Sequence, residues 1–92
     1  MNKTINKYLL EGKVNNDVKS ITSIIQKGKT TNITVDNKTV KVTNAAGMLI
    51  FEYPNDMFEF TMNLVTACDK LKLKYQQIGI RGKGNMKFMI EL

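Results

Sequence analysis

Lys72 and Lys74 alternate with Leu71, Leu73 and Tyr75. Side chains of an extended strand point to opposite faces in turn, so an inward apolar set leaves both ammonium groups on the solvent face, about 7 Å apart. Farther along, Arg81 and Lys83 stand among Gly79, Gly82 and Gly84. Glycine lets a backbone approach another surface closely, and cations at such a tip supply donors to phosphate oxygens. Lys41 and Lys87 take the polar positions of two further alternating stretches. Lys41, Lys72, Lys74, Arg81, Lys83 and Lys87 are therefore the candidate nucleic-acid contacts. Solvent-face lysines also guard any soluble edge strand against aggregation, and the Gly82/Gly84 pair is no dinucleotide fingerprint, since no helix with a third glycine follows.

A second constellation is acidic. Asp56 and Glu59, three residues apart, read as a capping-box-like helix start favoured by the helix dipole. The rings of Tyr53 and Phe60 flank them, and a half-exposed aromatic beside acids makes a partner-binding anchor. Tyr53, Asp56, Glu59 and Phe60 thus form an alternative site for a basic protein surface. Two carboxylates with no third group converging on them offer neither acid/base nor metal chemistry.

The rest of the composition removes most enzymes. The 92 residues contain no His and a single Cys. Imidazole acid/base catalysis, Ser–His or Cys–His nucleophiles, His-bearing zinc sites, internal disulfides and CxxC pairs are all unavailable. No catalytic residue, metal or cofactor is expected. Fourteen Lys+Arg against 8 Asp+Glu leave a net charge of +6, and the pI is about 9.6. The charge is uneven: residues 48–69 carry four acids and no base, whereas residues 70–92 carry five Lys, Arg81 and one acid. A basic, clustered balance of this kind favours a nucleic-acid partner.

The length fits one small domain, residues 1–92. The longest apolar run, Met48 to Phe51, is four residues, far short of the ~20 that a membrane helix needs. The opening MNKTINKYLLEGK has lysines but no apolar stretch of signal-peptide length. A reduced, cytoplasmic domain with no membrane partner is expected. Ten Asn and 13 Lys suggest an AT-rich coding sequence of bacterial or phage type, and a phage-encoded protein would work in the bacterial host cell.

The elements that position these residues follow from periodicity. Ile5, Tyr8 and Leu9 share a helical face, closed by Gly12. Asn16 or Asp17 caps a second helix with Val18, Ile21, Ile24 and Ile25 at helical spacing and Gly28 as its C′ residue. From Thr31 the period becomes two: Ile33 and Val35, then Val40 and Val42, with turn chemistry at Asp36-Asn37-Lys38. A second turn at Asn44 to Gly47 leads into Met48–Tyr53, apolar on both sides and expected to be central and doubly covered. Asp56 opens the strongest helix, with Met57, Phe58, Thr61, Met62, Leu64, Val65, Cys68 and Leu71 as its apolar face. Cys68 on that face reads as a buried, inert thiol. Leu71, Leu73 and Tyr75 alternate, the phase slips at Gln76-Gln77, and a β-bulge is expected there. Met86, Phe88, Ile90 and Leu92 alternate in a terminal strand whose edge is free to pair with a second copy. The expected fold is α+β, an antiparallel sheet of about five strands with N-terminal helices and one amphipathic helix packed on it.

Between Ile33 and Leu92, three stretches resemble the carboxy-terminal double-wing DNA-binding domain of MotA-type phage middle-promoter activators: Gly47-Met48-Leu49-Ile50-Phe51, the Met/Phe-rich helix from Asp56 to Cys68, and Gly84-Asn85-Met86. The resemblance covers about half of the chain and implies DNA contact from the sheet surface and wings, here through Lys72, Lys74, Arg81, Lys83 and Lys87. The chain departs from that family in having no separate winged-helix activation domain, which would make it a stand-alone module.

Two functions follow as expectations. The first is a non-enzymatic nucleic-acid-binding regulator of phage or mobile-element type, DNA before RNA, gripping phosphates with a basic β-ribbon. The second is a phage-type inhibitor or adaptor that binds a host or defence protein through the acidic helix start, with the lysines supplying solubility. Either admits a homodimer.

Overall fold

A computed structural model describes residues 12–80 and 84–92, the side chain of Ile80 excepted. The expected helix over Ile5, Tyr8 and Leu9 lies outside the described residues, as do Arg81 and Lys83. The described chain is an α+β fold: α1 (Val18–Lys27), β1 (Thr31–Val35), β2 (Lys38–Ala45), β3 (Met48–Pro54), α2 (Phe58–Leu71), β4 (Tyr75–Ile80) and β5 (Asn85–Glu91). All five strands form one antiparallel sheet in the order β1-β2-β3-β5-β4.

Local chemistry sets these elements as expected at several points. Asp17 caps α1, its carboxylate accepting from the Ser20 N–H at 2.7 Å. That bond holds the Asp17 carboxyl below its usual range. Gly28 ends the helix in the left-handed region at φ 59°, where its N–H donates to Ile24 O. The first hairpin closes through Asp36 and Asn37, both at positive φ (52° and 64°), with Val35 opposite Lys38. Such a two-residue turn matches the right-handed strand twist, and Asp and Asn tolerate it best after glycine.

Register explains the core. Ile33 faces Val40, Val42 faces Phe51, Leu49 faces Ile90 and Phe51 faces Phe88. These side chains share one side of the sheet and are buried with Ile21 and Ile25 of α1 and Phe60, Leu64, Ala67 and Cys68 of α2. Both helices therefore cover the same face.

That arrangement corrects three expectations. β3 is central, yet its burial alternates: Leu49, Phe51 and Tyr53 are buried, Met48, Ile50 and Glu52 only half-buried. Among the described residues no element covers the second face. The expected bulge at Gln76-Gln77 is absent, because β4 pairs with β5 without a break from Tyr75↔Ile90 to Ile80↔Asn85. The phase slip is instead a change of face. Tyr75 turns toward the helices and stacks on Phe88 (centroids 5.0 Å apart, planes 12°), whereas Ile78 turns to the open face and is 45% exposed. Finally, the terminal strand β5 is interior, between β3 and β4, so the edge strand on that side is β4.

Candidate nucleic-acid interface

α1 and α2 run in the same direction. Just before α1, Asn16 meets the second turn of α2, where Asn63 Nδ2 donates to the Asn16 side-chain oxygen at 2.7 Å and to its carbonyl at 3.2 Å. At their ends, Ile25, Lys27, Asn44, Leu71, Leu73 and Leu92 line one open hollow of about 450 Å³. Asn44 Nδ2 donates to Gly28 O at 2.6 Å and so holds the end of α1 over β2. A Cβ on Gly28 would meet Leu92 Cδ1 at 3.3 Å, so the glycine also admits the terminal side chain.

This end of the molecule collects cations. Lys27 lies in the last turn of α1 and Lys70 in that of α2. Lys29 follows the Gly28 cap. Lys72 closes α2 in the left-handed region at φ 58°, a conformation costing a non-glycine residue about 1 kcal/mol or more. Lys74 precedes β4, its carbonyl accepting from Glu91 N at 2.9 Å. All five lysines are exposed. Helix dipoles favour cations at C-termini, which accounts for Lys27 and Lys70 but not for the other three. Asp69 and Glu91 are the acids nearby, and neither pairs with a lysine: among the described residues the only ion pair is Lys38–Asp56, at 3.2 Å.

Lys72 was expected on a strand; it is a helix cap instead, because α2 runs on to Leu71. The alternation of exposed Lys72 and Lys74 with half-buried Leu71, Leu73 and Tyr75 is nevertheless present. Lys41 and Lys87 lie in one cross-strand row of the open face on either side of Glu52, roughly 10 Å apart by strand spacing. The Glu52 carboxylate between them accepts from Asn85 Nδ2 at 3.3 Å. Gly84 O accepts from Asn55 N at 2.7 Å, placing that end of the β4–β5 hairpin where α2 begins, the length of β4, about 20 Å, from Lys74. The four expected contacts among the described residues, Lys41, Lys72, Lys74 and Lys87, thus do not form one patch. Lys27, Lys29 and Lys70 extend Lys72 and Lys74 into a row along one end of the molecule, from the start of β1 at one sheet edge to the start of β4 at the other, about 19 Å by strand spacing. Their sequence signal, a lysine at each helix C-terminus, carries no hint that the two termini are neighbours.

The acidic site is also rearranged. Asp56 does not cap α2, whose N-cap is Met57 with no side-chain hydrogen bond; its carboxylate meets Lys38 instead. Glu59 stays in the first turn. Tyr53 and Phe60 are core residues at 1% and 0% exposure. Their rings meet edge to face at 4.9 Å and 87°, and Tyr53 Oη shares a 2.7 Å hydrogen bond with Thr61 Oγ1. Burial, partly offset by that bond, raises the Tyr53 pKa. The exposed apolar residues here are Phe58 (74%) and Met62 (63%), one helical turn apart. Asp36, Asp56 and Glu59 line an open hollow with Phe58 beside them.

Cys68 is fully buried. Burial first, and then the neighbouring Asp69 charge, pushes its thiol up to about 11. An aromatic disulfide reagent at pH 8 should leave it unmodified in the native protein and label one thiol after denaturation; fast native labelling would contradict the burial. The raised pKa also sets a sign. The thiol's contribution to stability is full below its ordinary value of 9.0 and is lost as pH climbs toward about 11.

Among the described residues no three His, Cys, Asp or Glu side chains converge as a metal site, and no helix is long and apolar enough to cross a membrane. No family model matches this sequence, and neither curated proteins nor solved structures yield a match.

Proposed function

We propose that the protein is a nucleic-acid-binding module whose phosphate contacts are the lysines gathered where α1 and α2 end. The observation carrying this reading is that Lys27, Lys29, Lys70, Lys72 and Lys74, all exposed and from two separate stretches of chain, lie along the end of the molecule where both helices stop, from the start of β1 to the start of β4. Neutralising phosphates releases condensed counterions, which drives association without catalytic groups. Duplex DNA is favoured over single strands. Stacking platforms need aromatic faces in the open, and the open sheet face carries Met48, Ile50, Ile78 and Met89 instead. Tyr75 is occupied with Phe88. The double-wing resemblance and the Asn/Lys-rich composition are in keeping with a regulator of phage or mobile-element type.

Fluorescence anisotropy with labelled duplex DNA, single-stranded DNA and RNA tests this. Five phosphate contacts predict a log–log salt slope of about −4.5 on duplex DNA. Binding that persists at physiological salt with a preference for the duplex is expected. Binding that is absent there, or equal for all three probes, would sink the proposal.

A second reading, a docking site for a basic protein surface, is favoured by Phe58 and Met62 beside Asp56 and Glu59. An exposed aromatic flanked by acids suits a cationic, apolar-tipped partner. A host protein held by the native chain should be released by Phe58→Ala; retention by that variant would exclude this surface.

A further inference from the structure

The two edges of the sheet differ. Beside β1, Lys13 bridges Thr34 and the Val14 N–H donates to Thr34 O at 2.9 Å, so that edge is partly closed. β4, sequence YQQIGI, contains no charge and no proline, which are the usual protections of an edge. Glu91 N donates to Lys74 O across the β4–β5 pair. In an antiparallel ladder the bonded positions alternate, so Lys74, Gln76 and Ile78 point their backbone groups toward β5. Tyr75, Gln77 and Gly79 point theirs outward. Among the described residues no hydrogen bond reaches those outward groups.

We propose that two copies of this chain join edge to edge along β4, antiparallel about a two-fold axis at Gln77, to form one continuous sheet. This stands apart from the nucleic-acid reading. The strand is complementary to itself in that register. Tyr75, its ring stacked on Phe88, lies opposite Gly79 of the partner subunit, and a Cβ position on Gly79 has nothing within 4 Å, so nothing on that side obstructs the approach of a second strand. Gln76 lies opposite Ile78 of the partner subunit, giving the half-exposed isoleucine a neighbour on the open face. Gln77 lies opposite Gln77 of the partner subunit. No like charges confront each other, and the outward groups of Tyr75, Gln77 and Gly79 in both copies make about six hydrogen bonds. A charged or proline-bearing foreign strand would match this edge less well. The joint is small against the ~1,000 Å² of a stable interface, so association is reversible and depends on concentration.

Sedimentation of the full chain from micromolar to millimolar concentration, with amide exchange read per residue, tests this. Self-association is expected, and protection of the Gln77 and Gly79 N–H groups should rise with it. Gln77→Pro removes the central outward donor at a position where an edge strand tolerates proline, and should abolish association. Should that variant misfold, Gln77→Lys and Gln77→Glu serve, since Gln77 is exposed. Each alone sets like charges face to face and should be monomeric, while an equimolar mixture should associate again. A monomer throughout the range, association unchanged in all three variants, or no rescue on mixing overturns the proposal. So does protection of Gln77 and Gly79 that is independent of concentration, which would mean a segment of the same chain occupies the edge.

Discussion

Changing Lys70, Lys72 and Lys74 together to Glu should reduce duplex-DNA affinity at low salt by at least about a hundredfold and flatten the salt slope by about 2.7. The variant both deletes three phosphate contacts and adds three charges that repel the backbone. All three side chains are exposed and none holds an ion pair among the described residues, so the core is untouched. Glutamates near a helix C-terminus oppose the dipole by up to about 1 kcal/mol each, a loss visible as a modest fall in Tm. Changing Lys41 and Lys87 to Glu is the comparison of like chemistry, and two phosphate contacts there would flatten the slope by about 1.8. Those two flank Glu52 on the open face, and their loss should shift the slope by less than the lysine end does. Were the Lys41/Lys87 pair the more damaging, the sheet face and not the helix ends would be the contact surface. Wild-type affinity in the triple Glu variant would exclude the helix ends outright.

The largest effect on stability is expected at Phe60. Its ring is fully buried against Tyr53 and Phe51, so Phe60→Ala leaves a cavity that should cost about 3–5 kcal/mol. For a domain of this size that corresponds to a Tm lower by more than about 12 °C, a large share of a typical total stability of about 5–15 kcal/mol. Phe58→Ala, two residues away, should change stability by no more than about 0.5 kcal/mol, because the Phe58 ring is 74% exposed. Thermal unfolding of the two variants side by side decides it. Equal losses would mean that α2 packs with a different face inward.

That contrast also marks where the sequence stops being legible. The α1 cap at Asp17, its Gly28 terminus, the Asp36-Asn37 turn and the strand periodicities were all readable, because each depends on neighbours a few residues away. The inward face of α2 was not. Met57, Phe58, Phe60, Met62, Leu64 and Val65 place apolar groups nearly all round the helix, and only the aromatic cluster beneath it selects Phe60 over Phe58. The phase change in β4 was visible, but a bulge and a switch of face look alike until the pairing with β5 is known. As for the candidate site, the cationic character of residues 70–74 was plain from the sequence. Its partners Lys27 and Lys29 were hidden, since more than forty positions separate them from Lys70 and only the shared direction of two helices brings them together.

That shared direction has one more consequence. Among the described residues, Asp17, Asp36, Asp56 and Glu59 lie where the helices begin, interspersed with Lys19 and Lys38, whereas Lys27, Lys29, Lys70, Lys72 and Lys74 lie where they end, with Asp69 and Glu91 the acids nearby, so positive charge is concentrated toward one end. In the field of a polyanion such a body experiences a torque as well as an attraction. On the nucleic-acid reading, that torque would turn the lysine end toward the polymer before contact and so reduce encounters in wrong orientations. Phe58 and Met62, exposed toward the other end, would then face away from the polymer and stay open to a second macromolecule.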